Sequence, residues 1–297
     1  MKSTAIILPA LLAFSLPATH AATLLSDTFD GSSLDTSTWT FGSNGGLGTA
    51  TFGSGNLTLD VNQQANSARA AILTDATNFN PFAGALTVNL GGLALGGDPG
   101  TSFNSLYSVI GRLPTDTGGE ANAGLAASYS SGGAYGTGGA FGVGLLGFSS
   151  SYRIQVLDSG SEVAVKQVQI ALSNAPTDMT YTIDGAGATW TLSITGATFT
   201  GNFLANGLSA TQVNANTITG SLINFTEAGL TSGEDIVSRF GLGANNGTGV
   251  IDGAIATFGD ISITQAAIPE PSTFALLSSA LVGGLVVTRR QRRAQRA

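Results

Sequence analysis

In Met179-Thr180-Tyr181-Thr182-Ile183 the large residues fall on one side and the threonines on the other. After Asp184-Gly185-Ala186-Gly187 the pattern resumes, with Trp190, Leu192 and Ile194 alternating with Thr189, Thr191, Ser193 and Thr195. Period two on both sides of a Gly-rich connection predicts an antiparallel hairpin with one buried face, and it puts Trp190 in the core. A second hairpin is predicted from Tyr152–Leu157, a turn at Asp158-Ser159-Gly160-Ser161, and Glu162–Leu172. There the apolar parity shifts from Val163 and Val165 to Val168, Ile170 and Leu172, which predicts a bulge near Lys166-Gln167. Leu57–Val61 and Ile261–Ile263 read as further strands, and Ser232–Leu242 as at best a short helix. The chain spends 42 of its 297 residues on glycine, which supplies the positive-φ positions that turns need. Many short strands with such turns predict an all-β sandwich or jelly roll over residues 22–268, with no repeat at fixed period. The Gly-dense stretch Gly118–Gly147 reads as loop plus small-residue strand within that body.

What the body lacks narrows its chemistry. There is no Cys, which excludes disulfides, thiol nucleophiles and Cys-ligated metals. The one His is His20, inside a segment read below as removed, so no imidazole is left for a triad, a general base or a zinc site. Residues 22–268 hold the basic residues Arg69, Arg112, Arg153, Lys166 and Arg239 against 17 acidic ones, a net charge of −12. A phosphate backbone would be repelled, so nucleic acid is not an expected partner.

The two ends read as addresses. Lys2, the largely apolar run Ala5–Leu16 and the small residues up to Ala21 form a secretory signal over 1–21. Thr19 and Ala21 occupy the −3 and −1 positions for signal peptidase. At the other end, Ile268-Pro269-Glu270-Pro271 precedes an uncharged stretch, Phe274–Val287, and then Arg289, Arg290, Arg292, Arg293 and Arg296. Residues 272–288 would make a helix about 25 Å long, the short end of a membrane span, with the arginines held on the cytoplasmic side. The expected arrangement is a signal peptide, a β-sandwich body and a C-terminal anchor over 269–297. The inner membrane would hold the chain transiently.

That ending resembles the PEP-CTERM sorting signal of exopolysaccharide-producing Gram-negative bacteria. The resemblance implies processing near Pro269, Glu270 and Pro271 by exosortase, a membrane-embedded cysteine transpeptidase, and delivery to the cell surface or extracellular matrix. The body has a resemblance of its own. Asp27-Thr28-Phe29-Asp30-Gly31 through Trp39, followed by Gly55-Asn56-Leu57-Thr58-Leu59, resembles the opening of concanavalin A-like (laminin G/glucanase-type) jelly rolls. Ala256–Ile263 is similar to their final strand, which in that family pairs beside the first. This implies a concanavalin A-like sandwich, a structural role for Trp39, and sugar as the ligand class.

Glucanase-type members of that fold carry Glu-x-Asp-x-Glu on one strand, where period two aims all three carboxylates into the cleft. The body's glutamates, Glu120, Glu162, Glu227 and Glu234, have no Asp two positions on. The expected function is therefore a non-enzymatic surface or matrix protein associated with extracellular polysaccharide. A glycan hydrolase or lyase and a ligand-free coat protein are the alternatives. Tyr107, Tyr129 and Tyr135 are the ring candidates for sugar stacking. Asp98, Asn245, Asn246 and Asp252 offer oxygen ligands for calcium, although turn chemistry also explains them and no spaced calcium loop appears. No other metal or cofactor is expected.

Overall fold

The strictly alternating segments pair as the sequence predicts. In a computed structural model, residues 21–43, 47–61, 69–74, 79–111, 140–159, 166–222, 239–247 and 252–267 are described. Strand β12 (Asp178–Asp184) pairs antiparallel with β13 (Thr189–Thr195) through an unbroken register from Asp178↔Thr195 to Asp184↔Thr189. Asp184 closes the connection by accepting a 2.9 Å bond from the Gly187 N–H. Both Trp190 and Tyr181 are buried.

These strands belong to a seven-stranded sheet ordered β1-β19-β6-β12-β13-β16-β15, all neighbours antiparallel. Its other members are β1 (Ala22–Asp27), β6 (Leu86–Gly91), β15 (Ala210–Asn214), β16 (Thr217–Ser221) and β19 (Asp260–Gln265). The last strand lies beside the first, with Ser26↔Ser262 in register. One face supplies core residues such as Leu86, Val88, Tyr181, Leu192 and Ile263. The other face is a line of hydroxyls. Thr182 lies opposite Thr87 on one side and Thr191 on the other. The same line continues through Thr264 to Thr23 in one direction and through Thr219 to Thr211 in the other, one threonine per strand.

An eight-stranded antiparallel sheet, ordered β14-β11-β10-β9-β8-β17-β5-β2, packs across that core. It comprises β2 (Trp39–Ser43), β5 (Arg69–Thr74), β8 (Asn104–Gly111), β9 (Ala140–Phe148), β10 (Ser151–Ser159), β11 (Lys166–Leu172), β14 (Phe199–Asn206) and β17 (Arg239–Asn246). A four-stranded sheet of β3 (Thr49–Gly53), β4 (Asn56–Asp60), β18 (Ile255–Phe258) and β7 (Ala94–Gly96) adds Leu57, Leu59, Ala256 and Phe258 to the same core. Its first hairpin turns on Ser54 and Gly55, at φ 55° and 74°, the pair of left-handed residues that a two-residue connection matching strand twist requires. Ala22–Ala266 forms one compact unit.

Two expectations are corrected. The register between β10 and β11 runs without a shift from Asp158↔Lys166 to Tyr152↔Leu172, so no bulge sits at Lys166-Gln167 in this pairing. The irregularity in β11 falls between Ile170 and Leu172, against β14. The second correction concerns Ser232–Leu242. Its last four residues open β17, a central strand, because Phe240, Leu242 and Ala244 face the core at period two while Gly241, Gly243 and Asn245 face away. Positions 232–238 lie outside the described residues.

Candidate functional site

Strand pairing gathers Arg69, Arg153 and Arg239 on the outer face of the eight-stranded sheet, the side away from the sandwich core. One row across it reads Arg69, Asn245, Ser105, Leu146 and Arg153 on β5, β17, β8, β9 and β10. Arg239 lies on the same face opposite Gly111. At the described positions of this face every ionisable side chain apart from Tyr107 is an arginine, and no carboxylate is present. The guanidinium groups of Arg239 and Arg153 are anchored. Arg239 Nη1 donates to the Thr74 carbonyl at 3.0 Å. Arg153 Nη1 donates to Gln169 Oε1 at 3.3 Å, with its guanidinium 4.5 Å from the Phe148 ring centre. Gln155 donates to Gln167 beside it.

The centre of the face is apolar. Tyr107, Val109, Leu146, Leu157, Ala71, Leu73 and Ala140 form a second buried cluster there, separate from the sandwich core. Tyr107, a candidate for sugar stacking, is fully buried on a central strand. It is flanked in register by Gly243 and Gly144, and a Cβ added at Gly243 would stand 2.3 Å from Tyr107 Cζ. The absence of a side chain there lets the ring lie flat across the neighbouring strand. Burial pushes the Tyr107 hydroxyl well above its ordinary pKa, with the Arg69 charge pulling partly the other way. A ring held in this way is packing, not an open stacking platform. Tyr129 and Tyr135 lie outside the described residues.

The four oxygen candidates fall in β17 and in two neighbouring turns. Asn245 and Asn246 are adjacent in β17, both buried, with side chains on opposite faces of the sheet. Asp98 and Asp252 are neighbours through a 3.0 Å bond from the Asp252 N–H to the Asp98 carbonyl. Their carboxylates accept from nearby turn amides, Gly100 at 2.9 Å and Gly253 at 3.0 Å. That is the turn chemistry Asp commonly provides. Among the described residues no three acidic or imidazole groups cluster closely enough to hold a metal ion.

A separate open groove of about 500 Å³ is lined by Phe41 and Phe52 together with Ser32, Ser33, Thr49 and Thr51. The arginine face and the threonine line were not identifiable from the sequence. Each depends on which strands become neighbours, and local spacing does not reveal that order.

Residues 267–293 match the model of the PEP-CTERM protein-sorting motif. The chain carries a PEP-CTERM sorting motif. The match spans Pro269, Glu270, Pro271 and Arg289, Arg290, Arg292 and Arg293, with Arg296 beyond it. The PEP-CTERM motif makes this an exported, membrane-processed protein and implies processing by exosortase. The motif from residue 268 onward, the 272–288 span and Thr19 lie outside the described residues, while Ala21 is described and exposed. Among the described residues no helix is long and apolar enough to cross a membrane.

Among curated proteins, none matches the sequence. The body is similar in structure to an endo-1,3-β-glucanase from Streptomyces sioyaensis, with TM-score 0.50 and 16% identity over 86% of this chain and 100% of that one. Peanut lectin matches with TM-score 0.44 and 14% identity, covering 84% of this chain and 100% of its own. LamAcat from Zobellia galactanivorans matches with TM-score 0.45 and 11% identity, covering 82% and 97%. The fold is a concanavalin A-like jelly roll.

Proposed function

We propose that this chain is a non-enzymatic protein of the cell surface or extracellular matrix, associated with its producer's extracellular polysaccharide. In this reading signal peptidase removes 1–21, the 272–288 helix anchors the body in the inner membrane, and exosortase cuts near Pro269-Glu270-Pro271 to release or transfer it. One observation carries the non-enzymatic part. The outer face of the eight-stranded sheet is filled at its centre by the Tyr107 cluster, and its described positions offer no carboxylate. Glycosidic cleavage ordinarily needs a pair of carboxyl groups flanking the bond. The acidic body and its hydroxyl-rich outer strands favour hydrogen bonding to sugar over attraction to polyanions.

The glucanase similarity keeps hydrolysis as the reading to test against. Purified protein incubated with the producer's polysaccharide, with and without calcium, should co-sediment with it and release no reducing ends. Release of reducing ends would make it an enzyme. Self-association without sugar binding would make it a coat protein.

A further inference from the structure

The hydroxyl line on the seven-stranded sheet has a second line beside it. Thr180 lies opposite Asn89 and Ser193; Asn89 lies opposite Ser262, and Ser193 opposite Thr217. Ser26 and Asn214 extend this line to the two edge strands. Both lines therefore cross the whole sheet without an apolar, aromatic or ionised side chain. The acidic residues of the face, Asp178, Asp184 and Asp260, sit at strand ends outside the two lines. Every position in the two lines is half-buried or exposed.

Nine of the fourteen side chains are joined by lateral hydrogen bonds. Thr87 and Thr182 share a 3.0 Å hydroxyl bond, Ser193 and Thr217 one of 3.1 Å, and Thr191 and Thr219 one of 3.3 Å. Thr180 donates to Asn89 Oδ1 at 2.9 Å, and Asn89 Nδ2 donates to Ser262 Oγ at 3.1 Å. Side-chain ladders of this kind oppose the usual twist of a sheet. Adjacent strands are about 4.8 Å apart and successive outward residues about 6.8 Å apart, so the two lines form a grid about 29 Å wide.

We infer that this grid is a docking surface for an ordered, uncharged polysaccharide, with chains laid side by side, and that it is the surface through which the association proposed above occurs. A grid of hydroxyls and methyls with the amides of Asn89 and Asn214 can neither stack on one sugar ring nor read one charge. It can match a partner that repeats as it does and offers hydroxyl donors to lone pairs left over from the lateral bonds. Each contact is weak, and only a rigid partner makes many of them without paying ordering entropy each time. A second copy of the chain is the less suitable occupant, because a stable self-complementary interface needs an apolar centre and this grid has none.

The test uses the full chain in mild detergent, sedimented with microcrystalline cellulose and, separately, with the producer's own polysaccharide. The quadruple variant Thr87→Val, Thr182→Val, Thr191→Val and Thr219→Val keeps shape and strand propensity while removing four hydroxyls. The matching Thr→Ser variant restores the hydroxyls. We expect the wild type and the Ser variant to sediment with the solid, and the Val variant to lose at least tenfold in affinity with an unchanged circular dichroism melt. Equal binding by the Val variant overturns the grid as the surface but leaves the association intact. A wild type that binds neither material overturns the association itself. Equal or tighter binding to a soluble, disordered glucan overturns the requirement for order, and a change of oligomeric state in the Val variant assigns the face to self-assembly.

Discussion

Trp39 donates its indole N–H to Asp27 Oδ2 at 2.7 Å, and that bond joins the two large sheets of the sandwich. Asp27 ends β1 in the seven-stranded sheet, and Trp39 begins β2 in the eight-stranded one. The second carboxylate oxygen accepts from the Phe29 N–H at 2.8 Å, holding Phe29 at φ 50° with its ring 6.2 Å from that of Trp39. The opening motif is thus a clasp at the start of the body, with the side chain of Trp39 almost wholly buried behind it.

Asp27→Ala should therefore lower unfolding stability by about 1–3 kcal/mol, because it strands a buried N–H as well as removing a bond. Urea denaturation followed by circular dichroism measures this. Trp39→Phe with Asp27→Ala should cost less than the two single changes added together, since the double variant leaves no stranded donor. Strict additivity would mean that the clasp contributes nothing as a pair.

Gly243 makes a second pairwise prediction. A methyl group there would overlap the Tyr107 ring, whose Cζ, Oη and Cε2 all lie within 2.6 Å of the added carbon. Gly243→Ala should destabilise the body by about 1–3 kcal/mol through overpacking. Adding Tyr107→Ala vacates the space, so the double variant should lose clearly less than the sum of the two single losses. A double-mutant cycle with no coupling would mean that the ring does not lie across Gly243.

The β12–β13 hairpin of the seven-stranded sheet was legible because only one of its faces enters the core. Thr180, Thr182, Thr191 and Ser193 betray the exposed side by alternating with Tyr181, Ile183, Trp190 and Leu192. The central strands of the eight-stranded sheet hide themselves for the opposite reason. Asn104–Gly111 is buried at every position, and Ala140–Phe148 at all but its last, so alternation carries no information there. Gly241 and Gly243 similarly disguised β17, since a residue without a side chain fits either face. The pairing of first and last strands followed from the family resemblance. The threonine line did not, because Thr23 and Thr211 are brought into one row only by strand order. Thr182 and Thr191 were readable as outward residues of their hairpin, but the line across seven strands was not.

Replacing Pro269, Glu270 and Pro271 together with alanine should leave the protein in the inner-membrane fraction. The sorting motif spans these residues. In the proposed pathway their loss removes the cut while leaving the 272–288 span and its arginines to hold the chain. Fractionation with an antibody to the body checks this, and unchanged delivery to the outside would separate export from the motif.

Asp60 gives the pH prediction. Partial burial raises its pKa above the ordinary 3.8, and the nearby Asp252 charge pushes in the same direction. As pH rises, the unfolded chain loses this proton first, so ionising Asp60 costs the folded state stability. The penalty begins as pH climbs past the unfolded value and is complete once pH exceeds the folded one. Below both values the group is protonated in either state and contributes nothing. Asp60→Asn should therefore raise the urea midpoint at pH 7 and lose that advantage below about pH 3.5. Asp252→Asn should recover only part of the gain, because it removes the repulsion but not the burial. A midpoint at pH 7 that falls in Asp60→Asn would mean that the ionised carboxylate is held by favourable contacts stronger than both effects.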